Sequence, residues 1–152
     1  MKRAEQAREY FKQGYACSQA VALAFADVAG VSEDTIAKAM LPFGGGLGRL
    51  RLTCGAVSGM SAAYGMIAAK PVNDPENKKE TYAAIQKMCA KFTEENGSLI
   101  CADLLAGQNL TVAVGGEAEP RTKEYYKKRA CAELVYQAAQ ILEEELKAKG
   151  IL

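Results

Sequence analysis

Apolar residues recur at three- and four-residue steps along most of this chain, and no stretch shows the strict alternation of a half-buried strand. The pattern predicts a polar first helix over about Lys2 to Lys12, stopping near Gly14, and a second from Cys17 to about Ala29 with Gly30 as its stop signal. On the second, Cys17, Val21, Ala24 and Val28 form the inward stripe. Ser32 fits the N-cap of a short helix from Glu33 to Leu41, with Glu33 and Asp34 in its positive first turn. From Pro42 to Leu52 the glycines Gly44, Gly45, Gly46 and Gly48 are too dense for helix or central strand, so a loop is expected. Thr53 then caps a helix from Cys54 to about Ala69, which puts Cys54 at its first position. Gly55, Gly59 and Ala63, four apart, let a neighbouring helix approach closely.

After a linker at Pro71 to Pro75, a long helix from Glu76 to Glu95 is expected to bury Tyr82, Ile85, Cys89 and Phe92. A short helix from Ser98 to Leu105 carries Cys101, Leu104 and Leu105. The connection Gly107 to Pro120 leads to a last helix from Arg121 to Lys149, with Cys131, Leu134, Val135, Ala138, Ile141 and Leu142 inward. Its charges Lys127, Lys128, Glu143, Glu144, Glu145 and Lys147 read as a solvated face. Together these elements predict one all-α domain over residues 1–152, a bundle of six or seven helices with a Gly-rich loop before the Cys54 helix.

At 152 residues the chain is long enough for a core that needs no staple. A formal net charge of +1 gives no electrostatic case for nucleic acid or an anionic membrane. No run of about 18 apolar residues is present to span a bilayer, and the charged first dozen residues lack the apolar core of a signal peptide. A cytoplasmic location is therefore expected, and there five cysteines are not assumed to be structural disulfides.

The chain has no histidine, so sulfur is the side-chain chemistry whose ordinary pKa lies nearest neutrality. Without histidine or a serine nucleophile constellation, hydrolase chemistry is disfavoured. Each cysteine alone reads first as a small buried filler, and Cys89, mid-helix between Ile85 and Phe92, keeps that reading. Cys17, Cys54 and Cys101 stand near predicted helix starts, where orphan N–H groups favour a thiolate. Cys54 is expected to be the most activated of them. Cys131 shares only the inward stripe. Four core-facing thiols on four helices can meet in a bundle as a Cys₄ zinc or iron–sulfur site, or pair as exchangeable disulfides. No Cys-x-x-Cys occurs to favour the metal readings. The loop with Arg49 and Arg51 before a helix start is suited to a phosphate or carboxylate but fits neither nucleotide-binding glycine pattern. The simpler role of its glycines is to let backbone pass close to the cysteines. Tyr125 and Tyr126 read as packing or as a contact between copies of the chain.

Cys54-Gly55-Ala56-Val57-Ser58-Gly59, preceded by Phe43-Gly44-Gly45-Gly46-Leu47-Gly48, with Gly14 to Val21 upstream and Cys101 and Cys131 downstream, resembles the C_GCAxxG_C_C family. The resemblance runs from Gly14 to about Leu142. It implies a small helical protein whose four characteristic cysteines, here Cys17, Cys54, Cys101 and Cys131, do redox work, often alongside oxidoreductases or transporters. Cys89 is the extra one.

Two readings follow. In the first, these four cysteines carry thiol/disulfide exchange or ligate an iron–sulfur cluster, with a redox partner protein, and Gly44, Gly45, Gly46, Gly48, Gly55 and Gly59 shape the cofactor's surroundings. In the second, a non-enzymatic module holds zinc on the same sulfurs or simply buries them. Either reading is compatible with a homo-oligomer.

Overall fold

The computed structural model describes residues 1–110 and 113–152, and among these it contains nine α-helices, one 3₁₀ turn at Leu41–Phe43 and no strand. In chain order the helices are α1 (Arg3–Lys12), α2 (Cys17–Leu23), α3 (Ala26–Ala29), α4 (Glu33–Met40), α5 (Gly55–Ala68), α6 (Pro75–Asn96), α7 (Cys101–Ala106), α8 (Lys123–Lys128) and α9 (Cys131–Ala148). The all-α expectation holds. The count exceeds six or seven because two of the expected helices are each divided. The expected connection Gly107 to Pro120 includes residues 111 and 112, which lie outside the described residues.

The first division falls at Phe25, whose non-helical backbone lets its ring enter the core completely. Arg3 repairs the break, giving one guanidinium N–H to the freed Ala24 carbonyl at 2.8 Å and pairing with Asp27 at 2.7 Å. Gly30 ends α3 in the left-handed conformation, as a stop signal should. The second division falls at Arg129 and Ala130. There the Arg129 side chain is drawn to Glu119 at 2.6 Å, and the Ala130 N–H donates to the Gln108 side chain at 2.8 Å.

Helix α5 lies at the centre, packed against α2, α9 and α6, while α1 covers α2 and α9. Two buried polar side chains of α2 are fully used. Ser18 Oγ donates to the Met40 carbonyl at 2.6 Å, an orphan acceptor at the end of α4, and Gln19 Nε2 to the Ala37 carbonyl at 2.8 Å, which also takes the Leu41 N–H. Ser32 caps α4 as expected.

Two expectations about faces need correction. On α6 the buried residues are Ala84, Met88 and Phe92, whereas Tyr82 is 58% exposed and Ile85 and Cys89 sit half-buried at the margin. Helix α6 packs against α9 and α5 on a stripe that steps back by four from Phe92 to Met88 and Ala84, and Tyr82, two residues before Ala84, falls off that face. On α9, Glu145 is buried instead of solvated, and it is paired with Lys87 of α6 at 3.0 Å. Among the described residues no helix is long and apolar enough to cross a membrane.

Candidate functional site

Cys17, Cys101 and Cys131 are each the first residue of a helix, and Cys54 is the N-cap of α5. Thr53, expected to cap that helix, instead forms an isolated antiparallel bridge with Ile100. The Cys54 N–H donates to the Leu99 carbonyl at 2.7 Å and the Cys101 N–H to the Leu52 carbonyl at 2.6 Å, so this bridge sets Cys54 and Cys101 in register. Because α9 begins at Cys131, that residue also gains the helix-start position that a helix beginning at Arg121 would deny it.

The glycines make the convergence possible. A Cβ on Gly44 would lie 2.7 Å from the Ala16 Cβ, one on Gly46 2.7 Å from the Cys101 Cβ, and one on Gly55 3.2 Å from the Cys17 Cβ. Gly45, Gly46 and Gly48 have positive φ, and so do Leu47, Arg49 and Arg51 between and after them. The loop from Gly44 to Leu52, left-handed at these six residues, is held by bonds such as Leu52 N–H to the Gly46 carbonyl at 2.9 Å.

All four sulfur-bearing residues line one cavity of about 340 Å³, together with Gly44, Gly45, Gly46, Gly48 and Gly55. Gly59 does not line it; it serves the contact between α5 and α2. Cys89 lies elsewhere. Arg49, Arg51, Arg121 and Arg129 complete the polar wall, with Leu41, Leu104, Leu105, Leu134 and Tyr125 as apolar wall. Arg121 and Arg129 escape a reading by helical period, although their spacing around Tyr125 is a usable signal. Arg121 lies over the rings of Phe11 and Tyr125 and donates to the Phe11 and Tyr15 carbonyls, both at 3.1 Å. The Tyr126 hydroxyl donates to the Lys12 carbonyl at 3.1 Å, so the tyrosine pair packs α8 onto the end of α1.

The thiols differ sharply. Cys131 is held below the ordinary thiol range by its interaction with the Cys17 thiol, which outweighs burial, and by Arg129, Arg121 and Arg51. Cys17 is pushed well up by the same interaction and by burial. Cys54, expected to be the most activated, is pushed up to about 12 because burial outweighs the Ala56 and Val57 backbone amides that favour its thiolate. Cys101 is also raised by burial, against the opposing pull of Arg51, whose Nη1 lies 3.8 Å from its sulfur. All five cysteines are free thiols.

A Cys₄ zinc or iron–sulfur site needs the sulfurs gathered around one point, about 2.3 Å from a zinc ion. Among the described residues no group of three or more histidine, cysteine, aspartate or glutamate side chains is so arranged, and the four thiols as placed do not fit such a group.

Fold and site together define an all-α protein with a thiol-lined cavity built on helix N-termini. The chain belongs to the family described as "Putative redox-active protein (C_GCAxxG_C_C)", whose model matches residues 15–145. No curated protein and no solved structure matches.

Proposed function

We propose that this protein is a thiol–disulfide redox protein in which Cys131 is the nucleophile and Cys17 the resolving thiol. The observation that carries the reading is geometric: Cys17 and Cys131 are hydrogen-bond neighbours on the wall of one cavity, and Arg129, Arg121 and Arg51 of the same wall favour a thiolate at Cys131. Thiolate is the attacking species in exchange. The Cys131 thiolate attacks one sulfur of a disulfide, a new S–S bond forms, the old one breaks and a thiolate leaves. Cys17 then gives up its proton to that thiolate and attacks the Cys131 sulfur, expelling the second thiolate. The protein ends as the Cys17–Cys131 disulfide, and two electrons have passed to the substrate disulfide. Cys54 and Cys101, set in register by the Thr53–Ile100 bridge, form a second pair that can take over the disulfide by further exchange.

Reduced protein treated with limiting oxidant and mapped by non-reducing peptide mass spectrometry should show Cys17–Cys131 as the first linkage. Five cysteines that stay reduced, a first linkage through Cys89, or anaerobically prepared protein carrying stoichiometric iron and sulfide would overturn this function.

A further inference from the structure

The charge on the cavity wall is unbalanced. Four guanidinium groups, Arg49, Arg51, Arg121 and Arg129, face a single carboxylate among the described lining residues, Glu119, and that carboxylate is spent on Arg129 at 2.6 Å. Arg51 gives its Nε to the Ala113 carbonyl at 3.1 Å and Arg121 donates to backbone carbonyls; these neutral acceptors orient the groups without cancelling their charge. Arg49 is the least committed of the four. Its Nε is buried and, among the described residues, has no hydrogen-bond partner. Arg49 lines the cavity without a carboxylate partner among the described residues, so its charge is available to an anion that enters.

The size and the remaining wall say what kind. A space of about 340 Å³ bounded by Leu41, Leu104, Leu105 and Leu134 is larger and more apolar than an inorganic anion needs, and it matches a small organic molecule with an anionic end. The same space holds the cysteine pair, so the molecule that fits it also meets the thiols.

We propose that the cavity is the binding site of a small organic disulfide bearing carboxylates, with a carboxylate on Arg49 and Arg51 and its S–S bond presented to Cys131. The inference rests on the redox reading above and names its oxidising substrate. The overall step converts the Cys131 thiolate, the Cys17 thiol and one small disulfide into the Cys17–Cys131 disulfide, one small thiol and one small thiolate.

Three compact disulfides test it: 3,3′-dithiodipropionate, 2-hydroxyethyl disulfide and cystamine, which are dianionic, neutral and dicationic. The rate constant for oxidising the reduced protein is measured with each and divided by that for the neutral free thiol N-acetylcysteinamide, which removes intrinsic reactivity. The normalised ratio of dianion to dication should be about 10 or more at low salt and should fall in about 0.5 M salt while staying above unity, because the contact is partly shielded from solvent. Arg49→Gln should lower that ratio about threefold or more, and Arg49→Lys should restore most of it. A ratio near unity in the unaltered protein, or one that Arg49→Gln leaves in place, overturns the substrate assignment while leaving thiol exchange standing. No oxidation by any of the three removes both.

Discussion

A Cβ on Gly59 would lie 2.5 Å from the Ser18 carbonyl oxygen, the closest approach that any glycine of α5 makes to α2. The contact is backbone to backbone, so neither side can yield by turning a side chain. Helix propensity alone favours alanine over glycine by about 1 kcal/mol, but overpacking costs about 1–3 kcal/mol or more, so packing wins. Gly59→Ala should therefore destabilise the fold in denaturant titrations. Gly65→Ala, on the same helix with nothing within 4 Å of the added carbon, should stabilise it by up to about 1 kcal/mol. Equal effects at the two positions would contradict the close approach of α2 and α5.

Cys131 should be the thiol whose alkylation has the lowest pH midpoint, below the ordinary range, because reactivity follows the thiolate fraction. Removing the neighbouring thiol with Cys17→Ala withdraws the largest of the influences that lower it. The Cys131 midpoint should therefore rise. Iodoacetamide labelling followed peptide by peptide across pH reads this directly. An unmoved midpoint would show that the arginines alone set it.

Cys17, Cys54, Cys101 and Cys131 are legible in sequence as candidates because each lies on an apolar stripe or near a helix start, both local signals, whereas their shared cavity is a property of the fold. What separates them chemically is not local. Helix-start position alone ranks Cys54 first, yet its 4% exposure places the sulfur in an apolar wall, and desolvation reverses the order. Cys131 owes its helix start to Glu119 and Gln108, which act from elsewhere in the chain on a segment that otherwise reads as continuous helix. On α6 the helical period marks Tyr82, Ile85, Cys89 and Phe92 as inward, but packing against α9 and α5 buries Ala84, Met88 and Phe92. Arg121 and Arg129 are cavity residues only because α8 folds back onto the end of α1.

Alkaline stability follows from Cys54. Its folded pKa is raised from 9.0 to about 12, so between those values the unfolded chain has released this proton while the folded chain still holds it. The stabilising contribution is fully present below about pH 9 and is lost as pH climbs through the folded value, at up to about 1.4 kcal/mol per unit. Cys54→Ser removes the titration and supplies a favoured N-cap residue for α5. Urea titrations under reducing conditions should show the variant losing less stability than the unaltered protein on going from about pH 8 to 10.5. Parallel losses would mean that Cys54 ionises freely in the folded state.

Arg51 acts on two thiols by different means, and this separates charge from hydrogen bonding. At Cys101 its Nη1, 3.8 Å from the sulfur, adds a directed contact to the pull of its charge, whereas its influence on Cys131 is that of charge alone. The residue is 6% exposed and anchored by the Ala113 carbonyl, so its fork cannot swing to serve both. Arg51→Met removes charge and donor and should slow alkylation at both cysteines near pH 8. Arg51→Lys keeps the charge but loses the planar fork. It should return most of the Cys131 rate but only part of the Cys101 rate, which depends on both the charge and the directed contact, and full recovery of both together would mean that only the charge matters.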